Sequence, residues 1–257
     1  MIIKQLNPSY LKNIKSKKIS TTLITNLQQN QYRSHTSNSS LPLYYNNNNN
    51  GMMDITDFSS ESIELIRYRL NSCNKLNYKF NYDTTKKVGE AAVLMPLCIV
   101  NGKPSVLFTI RSMSLKTHTG EVSFPGGKRD LTDLSLESTA LRETYEEIGI
   151  PPSQIEILGQ DSIMPNKDRT MKVYPFVGFI KYPIDISKIN FNHDEVKGVF
   201  SVTLKDLLNH DNRKWGRFSN SKLKYPIFEA QNGFKIWGLT AFILENVLRK
   251  INPLRKS

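Results

Sequence analysis

The chain has 257 residues, 39% of them hydrophobic, with 35 Lys and Arg against 23 Asp and Glu for a formal net charge of +12. That is enough apolar matter for one substantial core with some chain to spare, and no apolar run approaches the roughly 20 residues that cross a bilayer; a soluble chain is expected. Cys73 and Cys98 provide neither a disulfide framework nor metal-ligand spacing.

In chain order, residues 1–53 hold Lys4, Lys12, Lys15, Lys17, Lys18 and Arg33 and no Asp or Glu, so half of the positive excess lies in the first fifth. The rest of this stretch is rich in Ser, Thr, Asn and Gln and closes on the tract Asn46–Asn50. An acid-free, hydroxyl-rich, basic N-terminus reads as a mitochondrial transit peptide. The competing reading is an asparagine-rich leader without an address, on a cytoplasmic protein. The expected organisation is therefore a leader over 1–53 and one globular domain over 54–257. Arg255-Lys256-Ser257 does not match a Ser-Lys-Leu peroxisomal signal.

A helix is predicted from about Ser59 to Leu70, with Ile63, Ile66, Tyr68 and Leu70 on its apolar side. The apolar run Ala91–Val100 predicts a buried strand, Asn101-Gly102 a hairpin turn, and Val106–Arg111 the returning strand. Cys98 falls in the first of these and is read as a small core residue. Glu121–Phe124 predicts a short strand leading into a turn at Gly126-Gly127, where a missing Cβ lets the backbone bend and approach other groups closely. A helix follows from Asp133, as N-cap, through Leu134, Ala140 and Leu141 to Ile148, stopped by Gly149 and Pro151-Pro152. Strands are predicted at Ile155–Leu158, Val173–Ile180 and Val199–Val202, with a polar loop over Asp161–Thr170 and a short helix at Leu204–Leu208. Ile236, Leu239, Ile243, Val247 and Ile251 recur at helical spacing over Lys235–Ile251, and Trp237 is assigned to packing. Strands interleaved with few helices predict a mixed sheet covered by helices, an α/β sandwich.

The central helix carries the chemistry. Arg142 to Ile150 reads R-E-T-Y-E-E-I-G-I, with Glu143, Glu146 and Glu147 at i, i+3 and i+4. That spacing stacks three carboxylates on one helical face, where like charges repel. A solvated acidic face is one reading. The Gly-Gly approach, the adjacent Arg142 and the clear C-terminal stop favour the other: a site for a hard divalent cation, Mg²⁺ or Mn²⁺, which takes carboxylate oxygens and completes its shell with water and phosphate oxygens. Such an ion neutralises a diphosphate, acidifies bound water and orients attack. Three acids on about one turn suit metal clustering better than the paired carboxylates of glycoside hydrolysis.

These residues resemble the Nudix box, G-x5-E-x7-R-E-U-x-E-E-x-G-U, with U aliphatic. Thr144 stands at an aliphatic position, Asp133 at the first Glu, and eight residues rather than seven separate Asp133 from Arg142. The upstream stretch L-F-T-I-R-S-M-S-L-K-T-H-T-G-E-V-S-F-P-G-G-K-R-D, from Leu107 to Asp130, is similar to the signature of the coenzyme A diphosphatase branch, in which the longer turn and the Asp are usual. Asn192-His193-Asp194-Glu195-Val196 and Ile236-Trp237-Gly238-Leu239-Thr240-Ala241 also look like that branch. The likeness spans about residues 60–250 and implies an α/β/α sandwich with the acidic helix packed on a mixed sheet.

Glu143 and Glu147 are the expected principal metal ligands, with Glu146 a third ligand or the carboxylate that orients the attacking water. Arg142 is expected to hold these acids in place. The resemblance implies a further acid in a loop, an extra ligand or general base, and Glu195 is the candidate; an ordinary surface acid is the equal alternative. Arg111, Lys116, Lys128 and Arg129 flank the Gly-Gly turn as candidate phosphate contacts, although each is also readable as a solvated charge. His118 either places substrate or bonds the turn. The branch implies cleavage of coenzyme A or its acyl esters, small-molecule substrates, to 3′,5′-ADP and (acyl-)4′-phosphopantetheine. Alternatives are another nucleoside diphosphate derivative, or a nucleotide-binding Nudix protein without catalysis. Nucleic-acid binding through the positive charge is set aside, because much of that charge lies in the leader and no recognition module is present.

Overall fold

The apolar run at Gly89–Val100 forms β1, which is paired on both edges and covered on both faces. Its residues alternate: Ala92, Leu94, Cys98 and Val100 enter one buried cluster, and Met95 and Leu97 enter another on the opposite face. Asn101 and Gly102 both take positive φ, 50° and 71°, the geometry of a two-residue type I′ turn. They return the chain as β2 (Lys103–Arg111). This computed structural model describes residues 55–72, 80–83, 85, 87–112, 120–217, 224–230 and 233–253. The expectations for residues 1–53, Cys73, Lys116, His118 and the C-terminal tripeptide lie outside the described residues.

Beyond the hairpin turn β1 and β2 diverge. The segment carrying β3 (Val122–Ser123) and β4 (Gly126–Lys128) occupies the wedge, with β3 on β2 and β4 on β1. A bond of 2.9 Å from Leu94 N–H to Pro125 O joins its middle to β1. Gly126-Gly127 is thus not an open turn but a strand inside the sheet. Gly126 takes φ 150°, and a Cβ there would lie 2.3 Å from Ala92 O. On the other edge of β1 runs β7 (Met171–Ile180), the one parallel neighbour within this sheet among the described residues. β5 (Ile155–Gln160) and β6 (Met164–Pro165) pair with β7, and β8 (Val196–Thr203) with β2, all antiparallel. The sheet is mixed, as expected.

Helix α1 (Ser60–Ser72) and helix α4 (Gly238–Ile251) cover one face through Ile63, Ile66, Leu70, Leu244, Val247 and Leu248. Helix α2 (Leu136–Ile148) covers the other through Ala140 and Ile148. Three layers follow, α/β/α. A short helix α3 (Leu204–Leu208) starts on a Thr203 cap as the sheet ends.

Four local expectations are corrected. Helix α2 begins at Leu136, because Ser135 and Ser138 form a reciprocal capping box, side chain to backbone at 3.0 and 2.9 Å. Asp133 stays outside, and Leu134 is 95% exposed rather than in the core. The stretch Asp161–Thr170 is not wholly a polar loop: it contains β6, and Asp161 is fully buried in an ion pair with Lys250. Helix α4 starts at Gly238, since Lys235–Ile236 forms β11 beside β10 (Lys224–Glu229) and β9 (Arg213–Arg217), a second sheet that the apolar periodicity did not announce. A buried ion pair of 2.8 Å from Arg213 to Glu245 ties that sheet to α4. Trp237, assigned to packing, is half-exposed at the start of α4.

Candidate active site

Helix α2 is clamped at both ends, so its face is held in register. Gly149 closes it in the left-handed conformation at φ 70°, its N–H bonding Tyr145 O at 2.9 Å. Thr144, at an aliphatic position of the motif, is fully buried and returns its hydroxyl to Ala140 O at 2.7 Å, so it costs no unpaired group.

Arg142 organises the entrance. Its Nε and Nη2 donate to the two oxygens of Asp133 at 2.8 and 2.9 Å, and its Nη2 also donates to Lys128 O at 3.1 Å. Its Nη1 lies 2.9 Å from Glu146 and 3.1 Å from Glu143. Asp133 further accepts from Thr139 Oγ1 at 2.9 Å and Asp130 N–H at 2.8 Å. The Arg142 guanidinium, ahead of these lesser contacts, holds the Asp133 carboxyl well below the usual carboxylate range. Asp133 is therefore the buried anchor for Arg142, and Arg142 holds Glu143 and Glu146.

The structure gathers Glu143, Glu147 and Glu195, with one carboxylate oxygen of each within 4.8 Å of the others. Glu143 and Glu147 project from successive turns of α2. Glu195 arrives just ahead of β8, where Ser112 N–H bonds its carbonyl at 2.9 Å and Asn192 N–H bonds Glu147 O at 2.9 Å. Glu146 stands outside this trio, half-exposed against Arg142. Gly127 lies directly against Glu143: a Cβ there would sit 2.4 Å from the carboxyl carbon. Gly126 is required by the sheet backbone, whereas a side chain at Gly127 would displace the Glu143 carboxylate.

Burial raises the Glu143 carboxyl, with Arg142 opposing. Burial also pushes Glu147 up to about 8; Arg111 opposes this, Glu143 and Glu195 add to it, and the Gly126 N–H lowers it slightly. Three acids this close cannot all ionise comfortably without a counter-charge. An all-oxygen donor set that a cation would relieve fits a hard divalent ion, whose ligand oxygens lie about 3–4 Å apart for bonds near 2.1 Å.

Of the candidate substrate contacts, Arg111 faces the site from a bulge between β2 and β8. Its Nε is buried with no hydrogen-bond partner among the described residues. Arg129 pairs with Glu90 at 3.1 Å on the rim, and the exposed Lys128 meets Arg142 through its carbonyl. Beside the trio, Arg111, Gly126, Val93 and Phe124 line a cavity of about 150 Å³, completed by Leu239, Thr240 and Ile243 of α4. Helical spacing assigns Leu239 and Ile243 to the apolar face of this helix, and Thr240 is marked only by the I-W-G-L-T-A likeness.

A capped acidic helix over a mixed sheet, with a third acid delivered beside it, is suited to holding a divalent cation against a diphosphate. The NUDIX domain family matches residues 90–220. The chain belongs to the Nudix family, whose hydrolases generally work with a divalent cation. It is 36% identical over 186 residues to the mitochondrial coenzyme A diphosphatase NUDT8 of Mus musculus, a match covering 70% of this chain and 87% of that protein. The human protein of the same name is 38% identical over 169 residues, 63% of this chain and 70% of the other. Nudix hydrolase 3 of Caenorhabditis elegans is 36% identical over 180 residues, 63% and 73%. Among solved structures, a C. elegans Ap4A hydrolase binary complex matches at TM-score 0.39 and 23% identity over 47% of this chain and 84% of that one, a likeness without bearing on substrate.

Proposed function

We propose that this enzyme hydrolyses the diphosphate bond of coenzyme A or its acyl esters, giving 3′,5′-ADP and (acyl-)4′-phosphopantetheine. The observation that carries the reading is the 36–38% identity to two proteins named coenzyme A diphosphatases. The flanking signature from Leu107 to Asp130 supports it.

In this reading Glu143, Glu147 and Glu195 hold the cation, Mg²⁺ or Mn²⁺. When bound, the ion neutralises the diphosphate oxygens and acidifies water. Glu195, arriving from outside the helix, also has the position to accept a proton from the attacking water. Glu146 on the outer rim orients water or extends the ligand set. Arg142 acts as a positioning residue through the carboxylates it holds. Arg111 presents its buried Nε, a donor with no partner among the described residues, to a phosphate oxygen; Lys128 and Arg129 supply a basic rim, and Lys116 and His118 are further candidate substrate contacts.

The domain acting alone is residues 54–257, and the acid-free basic stretch 1–53 addresses it to mitochondria, as the names of both relatives suggest by analogy. Among the described residues no helix is long and apolar enough to cross a membrane. Product analysis after incubating residues 54–257 with coenzyme A and Mg²⁺, with EDTA as control, tests the activity. Equimolar 3′,5′-ADP and 4′-phosphopantetheine is the expected result; no turnover of coenzyme A beside brisk cleavage of another nucleoside diphosphate derivative overturns the substrate. Fusing residues 1–53 to a fluorescent protein tests the address, and a diffuse cytoplasmic signal overturns it.

A further inference from the structure

We infer that the cavity walled by the first turns of α4 seats the pantoyl end of the substrate, making Leu239, Thr240 and Ile243 specificity-determining residues. The inference rests on the coenzyme A reading and adds which half of the molecule lies where.

Position comes first. Gly126 lines this cavity and also directs its N–H at the Glu147 carboxylate, and Arg111 lines it while its charge acts on Glu147, so the cavity neighbours the acidic trio. A substrate whose diphosphate is held at that trio can extend one of its ends into the cavity. Size comes next: about 150 Å³ is half the lower bound of roughly 300 Å³ for a site enclosing a whole small molecule. The cavity takes one end of the substrate.

Chemistry chooses the end. Val93, Phe124, Leu239 and Ile243 give apolar walls, and Thr240 and Arg111 add polar points. The Thr240 hydroxyl donates to Val122 O at 3.2 Å, which leaves its oxygen to accept from a ligand. Arg111 Nε is a donor with no partner among the described residues. The pantoyl unit is esterified to the diphosphate and carries two geminal methyls with a hydroxyl beside them. Its methyls suit the apolar walls, and its hydroxyl can donate to the Thr240 oxygen while Arg111 Nε serves the adjoining phosphate. Adenosine 3′-phosphate would bring several ring hydrogen-bonding groups and a further phosphate against the same walls, leaving polar groups buried and unpaired.

The test uses the full chain with Leu239→Trp, which fills the cavity, and Leu239→Ala, which enlarges it without a clash. Each hydrolysis product serves as an inhibitor of coenzyme A turnover. Leu239→Trp should raise the KM for coenzyme A and the inhibition constant of 4′-phosphopantetheine at least tenfold. The inhibition constant of 3′,5′-ADP should stay within twofold. Leu239→Ala should move the same two quantities in the same direction by a smaller factor, and it decides the matter if the Trp variant fails to fold by thermal melting. Inhibition by 3′,5′-ADP changing instead, or neither product responding, overturns the inference. Wild-type turnover of coenzyme A is measured first, so failure of the substrate reading shows before any variant is compared.

Discussion

Replacing Glu147 by Gln separates a metal-ligating carboxylate from a structural one, because the two roles predict opposite signs for stability. Glu147 is 5% exposed, and its carboxyl is pushed up to about 8, chiefly by burial. In the unfolded chain the group titrates near 4.5. At pH 7 the metal-free fold must therefore keep it protonated, at roughly 1.4 kcal/mol per pH unit, or about 3 kcal/mol in all. Gln removes that cost, while its amide, if it finds no acceptor, returns about 1–3 kcal/mol. The metal-free variant should then be as stable as the parent or more so, by up to about 3 kcal/mol, with a melting temperature raised by as much as ~10 °C. Turnover with Mg²⁺ should fall on the order of 10²–10³-fold, the scale for deleting one group that stabilises transition-state charge. Melting curves in EDTA at pH 7, paired with steady-state rates, make the comparison. A variant destabilised by more than about 1 kcal/mol that still turns over normally would refute the reasoning.

The same displacement fixes a pH dependence. A carboxyl raised on folding stabilises the fold fully below its unfolded value near 4.5, and that contribution is lost as pH rises towards the folded value of about 8. The melting temperature in EDTA should decline across that window, and Mg²⁺ should raise it more at pH 8 than at pH 5; a flat profile counts against the buried acid. Arg142→Ala strands Asp133, whose side chain is 5% exposed, and should cost about 3–5 kcal/mol in urea unfolding. Arg142→Lys should recover only part of this, lacking the two-point grip on Asp133; full recovery would show that charge alone matters. Gly127→Ala places a methyl against the Glu143 carboxyl and should weaken Mn²⁺ binding by calorimetry, and an unchanged affinity would remove Glu143 from the ligand set.

The acidic helix, its glycine stop, the β1–β2 hairpin and the layered class were all legible in the chain, because each is set by interactions between near neighbours. Charges one turn apart share a face, Asn-Gly takes the positive φ of a tight turn, and continuous apolar runs demand burial on both sides. The start of α2 was misplaced because two residues competed for one local role. Asp133 resembles a cap by type, but it is taken by Arg142, nine positions on, and Ser135 caps instead. By composition the Gly-Gly segment is a turn, and only the divergence of β1 and β2 creates the wedge that makes it a strand. Glu195 carries no local mark that separates it from any loop acid. Register between β2 and β8 brings it to the helix, whereas Glu146, equal to its neighbours in the motif, turns outward to Arg142. Periodicity assigns residues to faces, but which faces meet, and which end of α4 walls a cavity beside the acids, depends on contacts between segments more than a hundred residues apart.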